Sequence, residues 1–177
     1  KLRFLSVGAS HGAETIANHP SLEELSATIE FPISTLDWLG SPANLDRLSL
    51  SYVNVSNLTR RRSSFDISGL HRLLKLRVLE LRHFIVEDLT PLAALEQLKA
   101  LFLVEVEYVD GSPLDIYPIA CLENLISLSL PSVASLRPLS SWKQELAYFN
   151  VSYVADLDID PSIRTNVEAP NATQTYA

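Results

Sequence analysis

Four histidines, one cysteine and one run of alternating aspartates are the side chains here whose types suit chemistry, and their spacing decides whether they do any. His11, His19, His71 and His83 show no metal-binding spacing such as His-Glu-x-x-His, which sets two imidazoles on one helix face. Cys121 lies among apolar residues at a turn, which marks a core thiol; a reactive thiolate needs a basic, accessible setting. Asp156-Leu157-Asp158-Ile159-Asp160 has the acidic alternation of a calcium loop. Yet Pro161 stands where such a loop requires glycine, and Val167 where it requires a bidentate glutamate. No nucleophile, base and orienting group are therefore expected to meet, and no metal or cofactor is expected. Function has to come from a surface, so the question becomes which elements build one.

The chain has 177 residues, 47% hydrophobic and 20% charged, the composition of one packed domain. Five glycines against ten prolines disfavour hairpin-rich sheets and phosphate loops, both of which consume glycine for positive φ. The single cysteine leaves no internal disulfide and points to a reducing, cytoplasmic compartment. Four Asn-x-Ser/Thr sequons, at Asn54, Asn57, Asn150 and Asn171, argue the other way, for a secreted or cell-surface chain. No run is long and apolar enough to insert in a membrane. The sequence opens at Lys1 inside a repeat and holds no methionine, so an N-terminal piece is expected to precede it. Charge is uneven: residues 1–82 carry 10 basic and 8 acidic side chains, residues 83–177 carry 4 and 13. So acidic a second half disfavours nucleic acid and suits a protein partner with a basic surface.

The pattern Leu-x-x-Leu-x-Leu, with conservative exchanges, organises nearly the whole length. It occurs as Leu2, Leu5, Val7; Leu22, Leu25, Ala27; Leu45, Leu48, Leu50; Leu76, Leu79, Leu81; Leu98, Leu101, Leu103; Leu125, Leu128, Leu130; and Leu146, Phe149, Val151. Successive starts lie 20, 23, 31, 22, 27 and 21 residues apart, and the chain resembles the leucine-rich-repeat family over residues 1–160. Asp88-Leu89-Thr90-Pro91-Leu92-Ala93-Ala94-Leu95 and the looser Ile116-Tyr117-Pro118-Ile119-Ala120-Cys121-Leu122 are similar to the convex segment of the internalin-like, roughly 22-residue class. Ser135-Leu136-Arg137-Pro138-Leu139 is a worn copy. The resemblance implies an α/β solenoid of about seven repeats: a right-handed superhelix with a parallel concave sheet and short 3₁₀ or helical convex segments. Residues 161–177 read as a C-terminal cap and mobile tail.

Alternation in each short strand sends the second and third leucines inward and the residues between them outward. No single repeat can bury its apolar face, but stacked strands make one leucine core. The family's ninth repeat position often carries an asparagine that bonds the turn backbone. Here it is Ser10, Glu30, Val53, Phe84, Val106, Val133 and Val154, so those turns must satisfy their backbone groups otherwise.

The outward positions of the sheet have no structural duty and form the candidate binding face. Val78, Phe102 and Val104 read as an apolar cluster rimmed by Arg47, Glu80 and Arg82, with Tyr148 further along. Two insertions are expected to leave the same edge of the solenoid. One runs from Tyr52 to Ser64 and carries Arg60-Arg61-Arg62; the other runs from Glu105 to Pro113 with Glu107 and Asp110, either as a wall of the binding site or bracing each other by opposite charge. The function expected is a non-enzymatic protein-binding module, an intracellular regulator or inhibitor-type binder. The alternatives are the ectodomain of a surface adhesin or receptor, and a recognition domain attached to an enzyme.

Overall fold

The computed structural model describes residues 3–9, 19–30, 33–53 and 64–156. Its strands are β1 (Phe4–Ala9), β2 (Glu24–Glu30), β3 (Arg47–Val53), β4 (Val78–Arg82), β5 (Ile85–Val86), β6 (Ala100–Val104), β7 (Glu107–Tyr108), β8 (Ser127–Ser135) and β9 (Tyr148–Asp156). Seven form one parallel sheet in the order β1-β2-β3-β4-β6-β8-β9. The repeat sets its register. Leu25, Leu48, Leu79, Leu101 and Leu128 are paired from strand to strand, as are Ala27, Leu50, Leu81 and Leu103, and all are buried. A one-residue slip would turn a whole leucine row to solvent, so the register is strongly specified.

Behind the sheet run short turns: 3₁₀ segments at Asp37–Leu39, Ser68–Arg72, Thr90–Ala94 and Arg137–Ser141, and one helical turn at Tyr117–Ala120. Pro91, Pro118 and Pro138 take the second place of three of them, where a fixed φ helps and no N–H is missed. Gly69 takes that place in another. A Cβ there would come within 2.7 Å of the Leu36 side chain, so glycine lets these two turns approach. Each turn is preceded by a short polar side chain that accepts the N–H two residues on: Thr35 from Asp37 (3.3 Å), Asp66 from Ser68 (2.7 Å), Asp88 from Thr90 (2.7 Å), Asp115 from Tyr117 (3.0 Å) and Ser135 from Arg137 (3.2 Å). The next residue is always apolar and buried: Leu36, Ile67, Leu89, Ile116, Leu136.

Spacing is nearly constant on one side of the repeat and variable on the other. From the first residue of a convex turn to the first residue of the following strand is ten residues in four repeats, 37 to 47, 68 to 78, 90 to 100 and 117 to 127, and eleven in the fifth, 137 to 148. From strand start to turn start it is 13, 21, 12, 17 and 10 residues, 24 to 37, 47 to 68, 78 to 90, 100 to 117 and 127 to 137.

The two edges of the sheet satisfy their backbone groups differently. At the lower edge, where each strand begins, Asn44 donates to the Pro20 carbonyl at 2.8 Å and Asn124 to that of Glu96 at 2.9 Å. At the upper edge the strands end differently. β2 and β3 run seven residues and turn Ile29 and Tyr52 inward. β4 and β6 stop after five, and His83 (φ 62°) and Glu105 (φ 51°) then adopt the left-handed conformation. That twist aims the next residues, Phe84 and Val106, into the core. The chain then pairs again as a second parallel ladder, β5 with β7, so these turns satisfy their backbone through neighbouring repeats.

Two sequence expectations need correction. Cys121 is exposed, because the buried column is Ile116, Ile119, Leu122 and Leu125 and position 121 falls on the solvent side of that turn. Tyr52 belongs to β3 and not to an insertion. Its ring lies 5.9 Å from Phe65 and 5.7 Å from Phe84, an aromatic cluster where that repeat meets the next. Arg60, Arg61 and Arg62, the aspartate run beyond Asp156, and the cap and tail at 161–177 lie outside the described residues.

Candidate functional site

Along each strand the outward side chains fall into rows set by the register. One row runs Glu24, Arg47, Val78, Ala100, Ser127, Tyr148; the next runs Ser26, Ser49, Glu80, Phe102, Ser129, Asn150. On β2–β4 the charged groups engage one another. Arg47 lies 3.6 Å from Glu24 and 3.9 Å from Asp46; Glu80 accepts from Ser49 at 2.8 Å and ion-pairs with Arg82. Glu80 and Arg82 are thus a tethered pair, their side chains 24% and 46% exposed. They hold each other's charge before any partner arrives.

On β6, β8 and β9 no outward residue from Ala100 to Ser152 is charged. Phe102 and Tyr148 stand two strands apart, yet their ring centroids are 6.3 Å from each other and their planes inclined by 51°. The strands are roughly 10 Å apart, so the rings lean together across β8. Ser127 and Ser129 are small enough to allow it. Tyr148 is 40% exposed and Phe102 half-buried, so the two rings form a tilted aromatic pair on the sheet surface with Asn150 beside it, its amide 3.3 Å from the Ser129 hydroxyl. Val78 and Val104 are also half-buried outward residues, one on each side of the Phe102 row. The partner Phe102 gains is therefore Tyr148.

The upper edge above this strip is acidic. Glu105, 74% exposed, meets His83 at 2.9 Å across neighbouring repeats. Asp110 accepts from the backbone and hydroxyl of Ser112, and these bonds hold its carboxyl below the usual carboxylate range. Glu107 belongs to β7, so the second insertion is tied into the solenoid and does not stand up as a free wall. Its first acid is braced by a histidine. Tyr108 packs beneath, its phenol pushed up by burial, with its hydroxyl 3.4 Å from the Asp115 carbonyl.

One sequence expectation is corrected by the residues themselves: the chain does hold a Gly-x-Ser-x-Gly pattern of the nucleophile-turn form, Gly8-Ala9-Ser10-His11-Gly12, which begins on the last two residues of β1. Ser10 to Gly12 lie outside the described residues. The described histidines are engaged elsewhere: His19 with Ser21, His71 with the Ser68 carbonyl, His83 with Glu105. Among the described residues no group of three or more His, Cys, Asp or Glu could hold a metal ion, and no helix is long and apolar enough to cross a membrane.

Two solved structures align along nearly the whole chain. An internalin (inlF) of Listeria monocytogenes matches 99% of this chain with a TM-score of 0.64 at 21% identity; internalin C2 of the same species matches 97% with a TM-score of 0.58 at 18% identity. In fold, the chain is an internalin-like leucine-rich-repeat solenoid. It spans 55% of the length of the first of these structures and 76% of the second. No protein-family model matches the sequence, and no curated protein does.

Proposed function

We propose that this solenoid is a non-enzymatic module that binds a protein through the uncharged strip of its concave sheet, with Phe102 and Tyr148 as anchors. The carrying observation is their ring contact across two serines. Tyrosine and phenylalanine offer large contact area at low rotamer cost, and Ser127, Ser129, Asn150 and Ser152 offer adaptable hydrogen bonding, a composition like that of antibody paratopes. Val78 and Val104 extend the apolar area. Arg47, Glu80 and Arg82, already paired, form its border, and Glu105, Glu107 and Asp110 face a basic part of the partner.

We read the module as an intracellular regulator or inhibitor-type binder. The Asn150 sequon lies on the strip itself, where a glycan would cover the anchors, and this weighs against a glycosylated ectodomain. With the partner captured from the native source, Phe102→Ala is expected to weaken binding roughly thirtyfold and leave the denaturant midpoint nearly unchanged. Undiminished affinity, or destabilisation as large as that of a core leucine, would sink the reading. Covalent capture of Ser10 by a fluorophosphonate would overturn the non-enzymatic part.

A further inference from the structure

The chemistry of the bound segment can be read from how charge is placed around the aromatic pair, given the concave-face reading above. The pair and the serines between its strands are uncharged, so a charged side chain packed over them would lose water without a counter-ion. Two tilted rings in contact at 6.3 Å give an apolar platform, which suits an apolar side chain. Charge returns at the upper edge, where Glu105 and Asp110 are exposed and are held by a histidine and by Ser112. Across the floor the arginines of the concave sheet are spoken for: Arg82 by Glu80, Arg47 by Glu24 and Asp46.

We propose that the occupant is a peptide segment of a protein, bearing an apolar side chain that packs on the Phe102–Tyr148 pair and an arginine or lysine displaced toward the upper edge. From Phe102 to Glu105 is three residues along the chain, so the two groups of the ligand should lie about 10 Å apart, two or three residues in an extended segment. The rings supply affinity; the edge carboxylates select the basic side chain and speed its arrival.

The test selects a random linear peptide library, displayed on phage, against the chain. The expected outcome is enrichment of peptides with an apolar residue and, two or three positions away in either order, arginine or lysine. For a synthetic peptide of that kind, Phe102→Ala should weaken binding by at least about tenfold. Glu105→Gln combined with Asp110→Asn should weaken it by about fivefold at low salt and flatten its salt dependence. Circular dichroism melts of both variants should overlay the parent's. Peptides that need Phe102 but bind the doubly neutralised variant equally well overturn this inference and leave the concave-face reading standing. Peptides indifferent to Phe102 overturn both. An unenriched library, or Phe102-dependent capture of glycans on an array, also overturns the peptide assignment.

Discussion

From β2 to β4 the outward side chains Glu24, Arg47, Glu80 and Arg82 settle their charges among themselves, while from β6 to β9 the same register presents Phe102, Tyr148, serines and Asn150 with no charge at all. Backbone, core and pairing are shared; the surfaces differ. A charged group that already has a partner on its own sheet must break that contact to make a new one, and exposed pairs contribute about 0–1 kcal/mol, so little is available for exchange. An aromatic ring loses nothing of the kind. Recognition on such a sheet therefore follows from what its side chains leave unsatisfied; apolar area is open at Phe4 and Val78 in the first half too, but only the second half joins two aromatic rings in an uncharged setting.

The comparison assumes that both halves rest on one core, and the largest expected effect tests this. Leu81→Ala below the charged half and Leu128→Ala below the aromatic half should each cost about 2–5 kcal/mol, because both side chains are fully buried and their neighbours cannot collapse far. Chemical denaturation followed by tryptophan fluorescence and by circular dichroism should shift together for both. Separated transitions would mean two folding units and not one surface with two halves.

A smaller effect is expected from Glu80→Ala. It removes the acceptor of Ser49 and the counter-ion of Arg82, a loss of about 1 kcal/mol in stability for a half-buried charge-assisted bond. Partner affinity should change by no more than about twofold. If titration calorimetry finds Glu80→Ala more damaging to binding than Phe102→Ala, the assignment of the two halves is reversed.

The smallest effect is alkaline. Burial raises the phenols of Tyr52, which lies in the strand carrying Arg47, and Tyr108, beside the acidic edge. Each ionises at higher pH folded than unfolded, so its share of stability is full below the unfolded value of about 10 and is lost as pH climbs past it. Denaturant midpoints should fall above about pH 10, and Tyr52→Phe and Tyr108→Phe should each flatten part of that fall. An unaltered slope in both variants would remove this explanation.

The leucine rows and the prolines of the convex turns were legible because stacking repeats one local pattern and each copy confirms the next. The aromatic pair was not. Phe102 could be placed outward by alternation, but its contact with Tyr148 depends on two serines on an intervening strand, a relation between repeats and not within one. Tyr52 and Cys121 differ from their expected places for separate reasons: β3 runs on past its last leucine, so the alternation of Leu48 and Leu50 carries Tyr52 inward, whereas Cys121 sits where a convex turn ends and its direction follows from that turn. The left-handed turns at His83 and Glu105 carry no glycine to signal them. Their only trace is the apolar residue that follows, Phe84 or Val106, which needed a way in. The column Thr35, Asp66, Asp88, Asp115 and Ser135 was visible in principle, since each member stands before a leucine or isoleucine that begins a convex turn.

The ten residues from convex turn to strand that four of the five repeats share give the solenoid a reset. However long the preceding loop, in those four the next strand begins at the same count from a turn fixed by a buried leucine or isoleucine and its polar neighbour. Length accumulated on the upper side, 12 residues in one of them and 21 in another, does not propagate into the register of the following strand. A protein engineer could use this as a graft point. The exposed turn at Val109 to Ser112, closed by Gly111 donating to the Tyr108 carbonyl, can receive a foreign loop while the leucine rows downstream stay in step.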